Sequence, residues 1–225
     1  MSNDFLKFLQ EQRGYDAFAK KEEEYEERQR SFVNRFWLPP EKSAKIVFLD
    51  DDPVILDEHQ VKIGGRWNNF FTCLRQLGQN CPLCDELDNR PATTGFYTII
   101  DTTEWTDSRG NKHVNEKKLF APKFKTLQML KRLSKKRGGL QGCVFDVYRT
   151  SADAYNVGDV FDYEGKLDEE QLKKLCKDIT PFDYAEILKP LSAGELLRIL
   201  KRNAESTNTD DFDVYSMDAA DEINF

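Results

Sequence analysis

The sequence predicts an α+β fold, mainly β, in which several short strands surround a metal-stapled loop and a few helices follow. Three observations carry this reading. Runs rich in branched and aromatic residues, such as Lys45-Ile46-Val47-Phe48-Leu49 and Gly95-Phe96-Tyr97-Thr98-Ile99-Ile100, are bounded by turn residues. Four metal-binding side chains fall close together as His59-x13-Cys73-x7-Cys81-x2-Cys84. Late in the chain, Asp168 with Gln171 and Ser192 with Glu195 have the spacing of helix-capping boxes. The 225 residues, 39% hydrophobic and 32% charged, suffice for one good core with polar extensions.

In chain order, residues 4–30 read as a helix, with Phe5, Leu6, Phe8 and Leu9 as an apolar patch before a charged run from Glu22 to Arg30. Phe36-Trp37-Leu38-Pro39-Pro40 stops it, because paired prolines demand extended backbone. The strand over 45–49 follows, then a turn at Asp50-Asp51-Asp52-Pro53. Residues 54–90 read as loop-rich, with Gly64-Gly65 as a hairpin signal and Trp67, Phe70 and Phe71 nearby. The strand over 95–100 turns at Ser108-Arg109-Gly110-Asn111 and returns from His113 to Phe120. A short helix carries Leu127, Leu130 and Leu133 on one face and stops at Gly138-Gly139, and Cys143 to Tyr148 alternates as a further strand. The expected organisation is an N-terminal helical extension over 1–35, a core over 36–202 with a zinc subdomain at about 54–90, and a disordered acidic tail over 203–225.

The net charge of −7 is unevenly placed. Residues 1–30 carry 8 acidic and 6 basic side chains, residues 203–225 carry 7 acidic and none basic, and the remainder is slightly basic. No apolar run approaches the ~20 residues of a membrane span. Met1-Ser2-Asn3-Asp4 lacks a signal-peptide pattern, so the expected compartment is intracellular and reducing. There the five cysteines favour metal ligation over disulfides.

One imidazole and three thiolates make a complete tetrahedral shell for zinc, and four protein ligands leave no open position, which defines a structural rather than a catalytic ion. Buried thiols are the alternative, and His113 is a rival fourth ligand. Cys143 and Cys176, in apolar strand and helix settings, read as packing residues. A zinc deaminase would need H-x-E before P-C-x-x-C, but Gln60-Val61 and Val114-Asn115 follow the two histidines. No phosphate-binding glycine loop, Ser/His/Asp set or H-E-x-x-H helix appears. A metal-dependent nuclease built on Asp50, Asp51, Asp52, Asp57 and Glu58 is a further reading, with local turn hydrogen bonds as its plainer alternative.

Between Arg109 and Arg137 lie 11 basic residues and a single carboxylate, Glu116. At a helix C-terminus, Lys135-Lys136-Arg137 can be explained by the dipole; a solvated helix face accounts less well for the charge over 112–125, which reads as strand and loop. Aromatic residues interleave it, and a positive groove with stacking rings is how single strands are bound without sequence preference. The expected phosphate contacts are Lys112, Lys117, Lys118, Lys123, Lys125, Lys131 and Arg132; the expected stacking rings are Tyr97, Trp105, Phe120 and Phe124, with Trp105 in the most polar setting.

His59 after Ile55-Leu56, then Gly65-Arg66-Trp67, Cys73, Cys81-Pro82-Leu83-Cys84, the Tyr97–Asp101 strand, Lys117-Lys118-Leu119-Phe120 and Val144-Phe145-Asp146-Val147-Tyr148 form an ordered set. That set resembles the zinc-containing, helix-destabilising single-stranded-DNA-binding proteins of T-even-like phages. The resemblance implies an OB-fold barrel with a zinc subdomain, a single-stranded-DNA groove, and no enzymatic activity. It further implies work in replication, recombination and repair in the cytoplasm of an infected bacterium. The acidic tail, through Asp210, Asp211, Phe212, Asp213, Asp221, Glu222 and Phe225, would recruit polymerase, primase, or helicase or its loader. Self-association is another family property, but the family's segment for it is short and basic, whereas residues 1–30 here are net acidic. A zinc-ribbon adaptor that binds duplex DNA or a polymerase in transcription regulation is the alternative function.

Overall fold

The computed structural model describes residues 13–19, 21–22, 33–106 and 110–207. It is α+β with a mostly antiparallel sheet. The chain divides after Val33 into two compact units. In the first, residues 15–19 and 21–22 are helical; the helix expected over 4–30 is not formed at Arg13 and Gly14, where Gly14 has a φ of 98°, and its other positions lie outside the described residues.

The second unit is built on one long strand. β1 (Ser43–Phe48), β2 (Val54–Ile63), β3 (Arg66–Thr72), β4 (Ala92–Asp101), β7 (Glu116–Phe120), β8 (Cys143–Tyr148) and β9 (Val160–Lys166) form a seven-stranded sheet in the order β3-β2-β4-β1-β8-β9, with β7 also on β4. β5 (Trp105–Thr106) and β6 (Lys112–His113) make a separate two-stranded ribbon. β4 takes β2 along Ala92–Phe96, β1 along Ile99–Asp101 and β7 along Tyr97–Asp101. β1 and β2 therefore follow one another along β4, separated by the Asp50–Pro53 turn. The ladder stays open: among the described residues no pairing joins β9 to β7 or to β3.

Strand alternation sends one set of side chains to each face. On one face, Phe48, Tyr97, Phe120, Phe145 and Phe161 pack with ring centroids 5.2–6.3 Å apart, mostly edge-on. The helix α2 (Phe124–Arg137) covers them with Leu127, Met129, Leu130 and Leu133 and ends at Gly138, whose φ of 67° supplies the left-handed stop. On the opposite face Val47, Leu49, Ile100 and Val144 meet Leu172 of α3 (Glu169–Leu175). A third cluster unites β2, β3 and the metal loop with Leu196 and Leu200 of α5 (Ala193–Thr207).

Both expected capping boxes are present. Asp168 accepts from the Gln171 amide while Gln171 returns a bond, and Ser192 pairs with Glu195 in the same way. Three expectations need correction. The first half of the stretch over 54–90 is strand, Val54–Ile63 and Arg66–Thr72, with Val61 and Ile63 of β2 in the cluster that holds Leu196 of α5. The returning strand over 113–120 is broken at Asn115, whose φ of 55° ends the β5–β6 ribbon before β7 begins. Residues 203–207 belong to α5 rather than to the tail, and 208–225 lie outside the described residues.

Gly95 positions α2. A Cβ there would lie 2.3 Å from a Leu127 methyl, so the bare backbone is what lets the helix rest on β4. Gly95→Val is expected to lower stability by about 1–3 kcal/mol, the usual cost of overpacking. The same change in a Leu127→Ala background should cost clearly less in urea melts; strictly additive losses would show that the two sites do not press on one another.

Candidate metal centre and nucleic-acid surface

His59 lies inside β2, Cys73 caps the 3-10 turn Leu74–Leu77, and Cys81 and Cys84 flank the first turn of α1 (Pro82–Asp85). Pro82 occupies the first helical position, where its missing N–H costs nothing and its fixed φ starts the turn. The Cys84 amide donates to the Cys81 carbonyl at 3.0 Å, closing the knuckle with both sulfurs on one side. The Cys73 amide donates to the Asp57 carbonyl at 2.8 Å, and Gln76 brackets the backbone of Asp57 from both sides, so the loop is tied to β2.

The four ligand atoms all lie within 4.8 Å of one another, and among the described residues this is the group that could hold a metal ion. Cys73 Sγ is 3.7 Å from Cys84 Sγ, while His59 Nε2 is 3.4 Å from Cys81 Sγ and 3.5 Å from Cys84 Sγ. A tetrahedral ion about 2.3 Å from sulfur and about 2.0 Å from nitrogen sets S···S edges near ~3.8 Å and S···N edges near ~3.5 Å. The donor set fits such an ion. His113, the rival ligand, is elsewhere: it stacks on Trp105 and pairs with Glu116.

The imidazole is oriented from behind. His59 Nδ1 lies 2.9 Å from Asn89 Oδ1, which places the proton on Nδ1 and leaves Nε2 to ligate. Asn89 is held in turn by its own bond to the Gln60 carbonyl at 3.0 Å. Burial pushes the Cys81 thiol up, but the amides of Leu74, Cys84 and Leu83 outweigh it, and the net direction is down. For Cys84, burial and the neighbouring Cys73 and Cys81 act together and push the thiol up to about 12. Cys143 is buried in the sheet, Cys176 caps α3, and all five cysteines are thiols without disulfides. Asn89 was not legible in the sequence, because an orienting amide has no fixed spacing from its ligand.

The basic segment divides sharply in the fold. Lys117 donates to Asp178 at 2.6 Å and to the Thr180 carbonyl, Lys118 to Asp101 at 2.9 Å, and Lys112 to Glu104 at 2.9 Å. Lys123 donates to Thr94 and faces Glu58, which also takes both arms of Arg35; burial pushes the Lys123 amine down. Lys117 in turn holds Asp178 low, near 2. Lys117, Lys118 and Lys123 are thus held by partners within the fold and are not open phosphate contacts, whereas Lys112 and Glu104 form an exposed surface pair.

The rings need correction too. Tyr97 and Phe120 are core residues, edge-on to Phe48 and inaccessible to a base. Trp105 is half-buried, with one ring face against His113 at 4.3 Å and its indole N–H donated to Glu116. Phe124 is 58% exposed.

Lys125, Lys131, Arg132, Lys135 and Lys136 of α2 are exposed and have no ion pair or hydrogen bond among the described residues. Helical geometry puts Phe124, Gln128, Lys131 and Lys135 in one outward stripe, flanked by Lys125, Arg132 and Lys136. Gln128, Lys131, Arg132 and Lys135 line a shallow concavity there. Like charges three and four residues apart destabilise a helix by ~0.2–0.5 kcal/mol per pair, and only the last turn is offset by the dipole.

The carboxylates of the nuclease reading do not converge. Asp50 accepts from Tyr184 and the Thr98 amide, Asp51 from the Gln141 amide, Asp57 from Thr93, and Glu58 pairs with Arg35. Asp52 is exposed on the turn. No helix among the described residues is long and apolar enough to cross a membrane. Comparisons with protein-family models, curated proteins and solved structures find no match to the chain.

Proposed function

We propose that this protein is a non-enzymatic, sequence-tolerant single-stranded-DNA-binding protein on an OB-type barrel, with a structural zinc ion held by His59, Cys73, Cys81 and Cys84. The observation that carries the reading is the outer face of α2, where an exposed phenylalanine shares a stripe with cations that have no internal partner. Such a face suits phosphates and the π-faces of unpaired bases. For the barrel, support comes from Phe120 of β7 and Phe161 of β9, which meet edge-on at 6.1 Å although their strands do not pair. For zinc, support comes from the donor set itself, since three thiolates and an imidazole select a soft tetrahedral ion.

On this reading the protein serves phage replication, recombination and repair in the host cytoplasm, and the acidic tail recruits polymerase, primase, or helicase or its loader. Binding of labelled dT20 in competition with duplex DNA, at two salt concentrations, tests it. Preference for dT20 is expected, with affinity falling about 50-fold between ~50 and ~200 mM salt if about four phosphates are contacted. Parity with duplex, or preference for it, would instead favour a zinc-ribbon adaptor.

A further inference from the structure

The β2–β3 hairpin tip carries none of the residues discussed so far as nucleic-acid contacts. Gly64 and Gly65 have φ of 56° and 80°, the left-handed pair that a two-residue hairpin loop requires. Beyond them stand Arg66 and Trp67, with Lys62 before them. All three are exposed, Trp67 at 57%, and none has a side-chain partner among the described residues.

An exposed tryptophan at a loop tip is ordinarily mobile. Here the backbone around it is pinned by three amide side chains. Gln60 Nε2 donates to the Trp67 carbonyl at 2.7 Å. Asn69 Nδ2 donates to the carbonyls of Arg66 and Val61 at 3.0 and 3.3 Å, fixing the register shift in the ladder. Asn203 of α5 donates to the Lys62 carbonyl and accepts from the Gly64 amide, both at 3.2 Å. That last pair of bonds crosses about 140 residues of sequence and ties α5 to the tip.

A large planar ring exposed on a fixed backbone, beside cations that have no internal acid, resembles a stacking platform with phosphate contacts around it. Pre-fixing the backbone of the tip removes its share of the ordering cost of binding. From this geometry we infer that the hairpin tip is a second single-stranded nucleic-acid contact, in which Trp67 stacks on a base while Lys62 and Arg66 meet the flanking phosphates. The inference rests on the proposed function and extends it, since it adds a base contact from the metal lobe to the α2 surface. The amide clamps also explain why α5 packs along the hairpin: the helix braces the tip.

The test uses the full chain with Trp37 and Trp105 replaced by phenylalanine, so that Trp67 is the sole indole. Addition of dT20 is expected to quench its fluorescence and shield it from iodide. Trp67→Ala in the native background should weaken dT20 binding at least about fivefold, the lower end for one stacked base. Lys62→Ala with Arg66→Ala should reduce the salt slope by about 1.4. Trp67 left accessible and unquenched, with Trp67→Ala binding as tightly as wild type, would overturn the hairpin site alone. Failure of the wild type to bind dT20 at low salt would sink both this site and the proposed function. Protection of Trp67 without DNA, lost on removing residues 208–225, would assign the tip to the acidic tail instead and overturn the nucleic-acid contact.

Discussion

Cys81→Ser is expected to unfold the metal lobe, lowering stability by at least ~3 kcal/mol, and a strong chelator should do the same to the unaltered chain. The reason lies in what packs there. Among the described residues, Val61, Leu74, Leu83 and Leu196 are the buried apolar partners around the four donors, with Ile63, Phe71, Leu191, Ala193 and Leu200 half-buried beside them. So small a cluster contributes little without a tetrahedral ion to close the loop from Cys73 to Cys84. Structural zinc supplies ~10–16 kcal/mol of apparent binding free energy in isolated finger peptides. Serine at position 81 would remove one thiolate and leave the amides of Leu74, Leu83 and Cys84 aimed at a poorer acceptor in a buried site. Because α5 packs on the same cluster, its protection from hydrogen exchange should fall together with that of β2 and β3. Cys143→Ser is the control: that thiol is buried in the sheet, so its loss should cost ~1 kcal/mol and leave chelator sensitivity unchanged. A chelated, metal-free chain that melts like the untreated one would refute the metal centre.

How much of this could be read from the chain depended on the kind of signal. β1, β4, β8 and α2 were legible because their apolar periodicity matches the face they bury, and the two capping boxes because three-residue spacing is a local rule. The ligand set was legible for the same reason, since a knuckle is local. β2 was not, because Asp57-Glu58-His59-Gln60 reads as loop. The fold makes it strand by giving its polar residues partners: Thr93 for Asp57, Arg35 for Glu58 and Asn89 for His59, all more than 20 positions away, and the Trp67 carbonyl across the hairpin for Gln60. β9 was missed because its alternation, Val160 to Lys166, exposes every other residue and never runs apolar. The basic segment shows the limit most clearly. In sequence Lys117 and Lys131 look alike, yet one is held by Asp178, some 60 positions away, and the other faces solvent. Charge runs report composition; only tertiary structure separates neutralised cations from available ones.

That separation sets the second large effect. Replacing Lys131, Arg132 and Lys135 together by alanine should weaken dT20 binding about 10²–10³-fold at ~50 mM salt, and lower the slope of log affinity against log salt by about 2. Three lost phosphate contacts on a single strand account for both numbers, at about 0.7 counterions released each. The matched set Lys117→Ala, Lys118→Ala and Lys123→Ala should behave differently. Those lysines serve Asp178, Asp101 and Glu58, so their loss should act mainly on stability and leave the salt slope of the still-folded protein nearly unchanged. Instability cannot account for the first result, since alanine is the better helix former and the change removes like-charge repulsion along α2. A triple α2 variant that keeps the wild-type slope, while the β-strand set loses it, would place the DNA on the opposite half of the basic segment. Lys117 would then have to release Asp178 on binding, and the carboxylate, held near 2 in the unbound protein, would return toward its ordinary value.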